Sequence, residues 1–179
     1  AGGGRGGRWR WGARDGGWST HAFPTPPLSL DPTSFARSGR FAVNDSSWTW
    51  CEAQLAGARS EGIFTPPSVR GTVIFPGNIG GSNWSGVALD PVRHLAIIPS
   101  NRILTVVDLI PRAELPGRVM GGTRFDEFAA QSGTPFGMRR RHLVAPDGVP
   151  CHRPPWGVLT PIDLESGKRP WRQPPGTIP

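Results

Sequence analysis

The chain has 179 residues and a formal net charge of +7, and glycine and proline together make up about a quarter of it. Because those two residues interrupt helices, the composition excludes a helical bundle and favours a turn-rich, mostly β protein. No apolar run approaches the roughly 20 residues that cross a bilayer, and no apolar stretch of the signal-peptide kind follows Ala1. Arginine supplies all but one of the 20 basic residues, which indicates coding bias more than a polyanionic partner.

The first 20 residues are a low-complexity run of glycine, arginine and tryptophan that cannot bury a core. They are predicted to be a disordered tail in front of a domain over residues 21–179. Their composition is similar to RGG-type tails, in which arginine meets phosphate and tryptophan stacks on bases. Because the tract is short, no nucleic-acid partner is expected. An RNA-associated role remains a competing hypothesis, which deletion of residues 1–20 would test.

One helix is predicted, over residues 44–59. Thr49 and Glu52 offer a capping box at its start, and Gly62 stands where a helix C-terminal glycine belongs. Helical spacing places one set of residues on a common face: Trp48, Cys51, Leu55 and Ala58.

The two cysteines form neither a CxxC motif nor a spacing typical of a zinc site. Two interpretations of Cys51 and Cys151 stay open. They are either two separate thiols or one disulfide that closes a long loop in an oxidising compartment, and such a bond would stabilise the fold.

Strands dominate the remainder of the chain. Apolar and alternating runs predict them at 71–75, 84–90, 95–99, 103–110, 157–163 and 169–172. Residues 112–150 show no clear period and are interpreted as a long polar surface insertion. The basic triplet Arg139–Arg141 within it is interpreted as a solvated face and not as a binding site.

A tight turn after the 157–163 strand carries the most specific pattern in the chain. Gly167 suits a turn position with positive φ, and the Asp163 carboxylate can accept hydrogen bonds from turn amides. Trp171 begins the returning strand and offers a flat surface on which a neighbouring sheet can pack. All three are predicted to be scaffold residues.

This Asp163, Gly167 and Trp171 spacing resembles the tryptophan-docking motif of the eight-bladed quinoprotein dehydrogenase propellers. Further runs resemble, in order, motifs of the membrane-bound glucose dehydrogenases that use pyrroloquinoline quinone (PQQ). They are EGIFTPPS at 61–68, FPGN at 75–78, WSG at 84–86, DP at 90–91, LIPR at 109–112, and PC followed by PWG at 150–157. Residues 21–60 are similar more loosely, and the whole resemblance falls in the C-terminal part of the family's chain.

The resemblance implies an all-β fold, a fragment of an eight-bladed propeller with about one blade, its flanks and one short helix. It also implies a periplasmic enzyme, attached to the inner membrane, that oxidises the C1 hydroxyl of an aldose such as glucose to a lactone. PQQ takes the hydride, Ca²⁺ or Mg²⁺ polarises the quinone, and ubiquinone takes the electrons. The family's aspartate base and most metal ligands lie upstream of the matching region, so this segment is not expected to catalyse alone.

The resemblance carries three residues over as cofactor contacts. Asn78 follows Phe-Pro-Gly at a strand end, as does the family asparagine near the quinone, and an amide can donate to a quinone oxygen without adding charge. Trp84 and Asn83 follow glycines that let the backbone approach a ligand. The competing structural roles are a turn-capping Asn78 and a blade-packing Trp84. No catalytic residue or metal ligand is assigned, and His94 and His152 are interpreted as surface or structural residues.

One blade is predicted from four antiparallel strands: 84–90, 95–99, 157–163 and 169–172. The long insertion then lies between its second and third strands, and residues 73–75 belong to the preceding blade. One blade cannot close a ring and leaves apolar faces uncovered, so the isolated chain is expected to be marginally stable or prone to aggregate. The alternative to an enzyme segment is a propeller-type binding module that kept the scaffold without the redox site.

Overall fold

The structure, a computed structural model, describes residues 9–11, 22–24, 29–62, 64–82, 86–115 and 125–176. The chain divides into two compact units, Ala1–Leu30 and Asp31–Pro179. In the first unit, strands β1 (Trp9–Trp11) and β2 (Ala22–Pro24) pair antiparallel. A short strand therefore lies within the stretch predicted to be a disordered tail, and tryptophan on both sides of Arg10 suits such a strand. The domain boundary at residue 20 stays a prediction.

The second unit contains a four-stranded antiparallel sheet. Its strands follow the order β3 (Thr72–Ile74), β6 (Thr105–Pro111), β8 (Phe136–His142) and β7 (Asp126–Ala129). Its apolar interior comes from β-branched residues such as Val73, Val106 and Val107, all of which are buried, as expected for strands that pack on one face.

The prediction of a long polar surface insertion over residues 112–150 is wrong, because strands β7 and β8 lie within this range. Three consecutive arginines on β8 hide the alternation of apolar and polar residues that would have revealed a strand. They are not a solvated face, since each lies against a carboxylate of a neighbouring strand. The three ion pairs are Arg139 with Asp126, Arg140 with Glu127, and Arg141 with Asp108.

Helix α1 runs over Asp45–Leu55, within the predicted range but shorter. Asn44 caps it by accepting a hydrogen bond of 2.8 Å from the Ser47 backbone N–H. The predicted capping box is wrong, because the Thr49 hydroxyl donates to the Asp45 carbonyl instead. Gly57, with φ of 74°, takes the left-handed position after the helix that was predicted for Gly62.

The main core lies between α1, strands β3 and β6, and residues 143–151. Ten buried residues form it: Phe35, Cys51, Leu55, Ala58, Val73, Leu104, Val106, Leu143, Ala145 and Cys151. Trp48 does not join them, since it is 42% exposed. A disulfide joins Cys51 to Cys151 across 5.6 Å between their Cα atoms, which settles the pairing that the sequence left open.

A three-stranded antiparallel sheet contains β4 (Ala88–Asp90), β5 (Leu95–Asn101) and β9 (Gly157–Asp163), in that order. This order is the one predicted for the blade, and residues 102–156, which include β6, β7 and β8, lie between β5 and β9. Residues 73–75 lie apart from it, because β3 pairs with β6.

The prediction of a fourth blade strand over residues 169–172 is wrong, because these residues form no continuous strand. Pro170 lacks the amide hydrogen that a ladder needs. One antiparallel bridge forms just beyond this range, where the backbones of Gln173 and Leu159 exchange hydrogen bonds of 2.7 and 3.1 Å.

The turn after β9 forms as predicted. The Asp163 carboxylate accepts hydrogen bonds from the backbone N–H groups of Ser166 (2.7 Å) and Glu165 (3.1 Å), and Gly167 has φ of 68°. The hydrogen bonds from Ser166 are the main reason that the pKa of Asp163 lies below its ordinary value. Trp171 is 42% exposed.

Antiparallel sheets with a single α-helix in the described part of the chain confirm the all-β prediction. Short 3₁₀ turns at Arg37–Gly39 and Arg112–Glu114 complete the helical elements. Within the residues that the structure describes, none of these has the length and apolar character that crossing a bilayer requires.

Candidate functional site

The turn that follows β3 carries Asn78, the one predicted cofactor contact that the structure describes. The side chain of Asn78 is exposed, and it has no side-chain hydrogen bond to another described residue. The backbone around it is fixed at several points. Gly77 N–H donates to the Ile103 carbonyl (2.7 Å), and Gly81 and Asn101 exchange hydrogen bonds of 2.7 and 3.1 Å. The turn is thereby attached to the end of β5 and the segment that leads into β6.

Two glycines make this attachment possible. A Cβ at Gly77 would lie 1.9 Å from the Thr105 hydroxyl, and a Cβ at Gly80 would lie 2.6 Å from the Pro76 side chain. Because no larger residue fits at either place, the backbone sits directly against its neighbours. Asn78 therefore presents an amide from a rigid backbone, which suits a hydrogen-bond donor that must hold a ligand in one orientation.

Asn83 and Trp84 lie outside the described residues, as does Ser85. Their predicted contacts with a cofactor stay predictions. Two residues lead directly into that segment. Gly81 has φ of 71°, and Ser82 has a buried hydroxyl with no partner among the described residues.

Residues 102–156 leave and rejoin the three-stranded sheet beside the Asn78 turn. Asn101 at the end of β5 stands opposite Gly157 at the start of β9. Just beyond them, the Arg102 N–H donates to the Trp156 carbonyl (2.8 Å), and the Trp156 indole donates to the His152 carbonyl (2.7 Å). The site thus combines one end of the sheet, the Asn78 turn and residues 152–156.

A buried ion pair lies at the same end. Arg102 donates from Nε to Asp31 over 2.8 Å, and the Ser100 hydroxyl donates to the same carboxylate oxygen over 2.7 Å. Arg102 is only 8% exposed, so this carboxylate compensates a charge that would be costly if buried alone. Sequence reasoning missed the pair, because roughly 70 residues separate its members and nothing local marks either one.

His152 is buried and not on the surface, since it is 3% exposed. Its ring packs edge-on against Phe75, with 5.2 Å between ring centroids. Burial lowers the pKa of His152 to about 4. Two smaller effects of Arg102 oppose each other. Its backbone lies near the ring and raises the pKa, and its positive charge lowers the pKa. The imidazole is therefore neutral at pH 7.

His94 is an exposed residue at the other end of the same sheet. It lies just before β5, whose seven residues separate it from the Asn78 turn by about 20 Å of extended chain. Its ring nitrogen lies 2.6 Å from the Glu165 carboxylate, which ties the β4–β5 turn to the turn after β9. This contact is structural.

The described residues contain no group of three or more histidine, cysteine, aspartate or glutamate side chains that could hold a metal ion. What the described part of the site offers is an exposed amide on a turn whose backbone is closely packed against β5 and β6.

Comparisons with known proteins place this geometry in context. A family model for the glucose/ethanol/alcohol dehydrogenase β-propeller domain that uses PQQ matches residues 13–179. The quinoprotein glucose dehydrogenase of Escherichia coli is 33% identical over 93% of this chain and 22% of that protein. The probable quinate dehydrogenase (quinone) of Xanthomonas campestris pv. juglandis is 28% identical over 87% of this chain and 21% of that protein.

A glycerol dehydrogenase large subunit of Gluconobacter oxydans is 32% identical, and the match covers 86% of this chain and 23% of that protein. The chain thus spans about a fifth of the length of the curated relatives it matches. No solved structure matches it.

Proposed function

Because the chain belongs to the PQQ-dependent dehydrogenase β-propeller family, we propose that it forms one section of a quinoprotein dehydrogenase that oxidises an aldose. The substrate is glucose-like, the C1 hydroxyl becomes a lactone, and ubiquinone receives the electrons. The similarity to the Escherichia coli glucose dehydrogenase over most of the chain supports an aldose. Relatives named for quinate and glycerol make a cyclic or a linear polyol the main competitor.

The Asn78 turn is the observation that carries the proposal. PQQ, when bound, accepts the hydride that leaves the substrate alcohol. Asn78 fits such a cofactor, because its amide can donate to a quinone oxygen without adding charge, and its backbone is too tightly packed to reorganise. Asn83 and Trp84 are proposed as further contacts on the segment that follows.

Metal ligands and a general base are proposed to come from parts of the enzyme other than the residues described in this structure. A divalent cation, Ca²⁺ or Mg²⁺, needs several oxygen ligands, and the described residues gather no such cluster. This chain is thus proposed to supply a cofactor contact and scaffold.

The disulfide between Cys51 and Cys151 supports a location in an oxidising compartment. We propose the periplasm, with the parent enzyme attached to the inner membrane, where ubiquinone is within reach.

The test is reconstitution of the full-length gene product with PQQ and Ca²⁺, followed by dye reduction with glucose, quinate and glycerol as separate substrates. Asn78→Ala should lower kcat by about 100-fold, the size expected when one fixed donor to a reacting oxygen is lost. Gln173→Ala removes an exposed amide from the outer edge of the three-stranded sheet and serves as the matched control.

Three results would contradict the proposal in different ways. Equal activity of both variants would remove Asn78 from the cofactor site. Activity with quinate or glycerol but not glucose would correct the substrate. Binding of PQQ without any dye reduction would favour the propeller-type binding module.

A further inference from the structure

Thr105 on β6 is the residue against which the Asn78 turn packs, and it is fully buried. A Cβ at Gly77 would lie 1.9 Å from the Thr105 hydroxyl oxygen and 2.7 Å from the Thr105 Cβ. The Gly77 N–H donates to the Ile103 carbonyl, which holds the turn against the same strand. The turn therefore has no room to move toward β6, and the position of the Thr105 side chain limits where Gly77 and Asn78 lie.

The Thr105 hydroxyl is in turn held by His142. The two residues lie opposite each other on β6 and β8, and 3.0 Å separates Thr105 Oγ1 from His142 Nδ1. No other described residue gives this hydroxyl a hydrogen-bond partner. Because a buried hydroxyl hydrogen without an acceptor is costly, Thr105 donates and His142 Nδ1 accepts. The neutral ring then carries its own hydrogen on Nε2.

His142 is mainly neutral at pH 7 because of its surroundings. Its partial burial lowers its pKa and Arg140 on β8 lowers the pKa further, whereas Glu127 and Asp126 on β7 raise it. The residue that faces it from β6 is Thr105, which does not titrate. Protonation in acid turns Nδ1 from an acceptor into a donor. The Thr105 hydroxyl hydrogen then loses its acceptor.

We propose that Thr105 and His142 are positioning residues for the Asn78 turn: the imidazole fixes the hydroxyl, and the hydroxyl fixes the backbone that presents the Asn78 amide. This inference rests on the proposed contact between Asn78 and the cofactor. Thr105 acts through Gly77, and His142 acts through Thr105. The arrangement also makes the presentation of Asn78 sensitive to acid, because protonation of His142 removes the acceptor on which the Thr105 hydroxyl depends.

Hydrogen exchange of the oxidised chain of residues 1–179 tests this packing without any cofactor. Thr105→Val replaces the hydroxyl with a methyl group. It should speed exchange at the hydrogen-bonded amides of Gly77, Gly80 and Gly81 by about tenfold, the size of one lost hydrogen bond. Thr72→Val is the matched control, because Thr72 is equally buried and its hydroxyl donates to the Pro66 carbonyl over 2.9 Å. Equal effects of both variants, or no effect of Thr105→Val, would overturn the proposal.

The full-length gene product with Ca²⁺ tests the consequence for the cofactor. Its affinity for PQQ, measured from the free PQQ that passes an ultrafiltration membrane, should fall about tenfold with Thr105→Val and stay the same with Thr72→Val. If Asn78→Ala leaves the affinity unchanged, the proposed function of Asn78 is wrong. If Asn78→Ala weakens binding and Thr105→Val does not, only the positioning role is overturned.

The pH profile of PQQ binding tests the part played by His142. The affinity should fall several-fold as the pH falls from about 7.5 to about 5.5, across the range in which histidine titrates. His142→Asn places an amide oxygen near the position of Nδ1 and does not titrate, so it should flatten this fall. Because His142 is only half-buried, this variant keeps the test available if Thr105→Val does not fold. A profile without the fall, or an undiminished fall in His142→Asn, would overturn the role of His142.

Discussion

The four-stranded sheet packs against α1 and the loop that contains Cys151, whereas the three-stranded sheet leaves large apolar side chains exposed at its edge and turns. Leu104, Val106 and Leu143 are fully buried beside the first sheet. On the second, Leu89 is 69% and Val92 is 86% exposed. The difference teaches that one region of this chain carries its own core, while the other presents apolar surface of the kind that another sheet covers.

The disulfide should have the largest effect on the four-stranded region, because it closes a loop of about 100 residues. Chain-entropy arguments for such a loop give roughly 4 kcal/mol of stability. Reduction should therefore lower the denaturant midpoint of the helix signal in circular dichroism. The double variant Cys51→Ala/Cys151→Ala is the control, since reductant should not affect it further. An unchanged midpoint after reduction would show that the packing alone holds this core.

A matched pair of leucines should separate the two regions next. Leu104→Ala removes a fully buried side chain and should cost about 3 kcal/mol in the free energy of unfolding. Leu89→Ala removes an exposed side chain from β4 and should cost less than about 0.5 kcal/mol. Denaturant titrations of both variants measure the contrast. Comparable costs would mean that Leu89 is buried in solution and that the three-stranded sheet is already covered.

Lowering the pH should destabilise the four-stranded region, because His152 is buried in its neutral form. Burial lowers the pKa of this ring to about 4, below the ordinary 6.5, so the unfolded chain binds more protons between those pH values. The free energy of unfolding therefore falls as the pH falls from 6.5 to 4, by up to about 3 kcal/mol. His152→Gln should remove this part of the pH dependence. If the variant keeps the full pH dependence of the free energy of unfolding, other titrating groups are responsible for it.

Local chemistry decided what could be predicted from the sequence. The turn at Asp163 and Gly167 and the strands β5 and β9 depend on neighbouring residues, and all of them formed as predicted. Strand β8 was missed because its arginines satisfy their charges on other strands. That information lies in pairings between distant parts of the chain and not in any local pattern.

For the candidate site, the sequence offered Asn78 through the resemblance of Phe75-Pro76-Gly77-Asn78 to a family motif, and its cofactor contact stays a prediction. The structure adds that close packing at Gly77 and Gly80 fixes the backbone on both sides of it. The burial of His152 and the Asp31–Arg102 pair could not be predicted from the sequence, because both arise when segments far apart in sequence come together.

Hydrogen exchange followed by mass spectrometry on the oxidised chain of residues 1–179 tests the division between the two sheets most directly. The amides of β6 and β8 should exchange at least about a hundred times more slowly than those of β4, because the four-stranded sheet packs against the main core beside the disulfide, whereas β4 is an exposed edge strand. Equal protection of both sheets, or slower exchange in β4, would contradict the claim that the three-stranded sheet relies on neighbours for its cover.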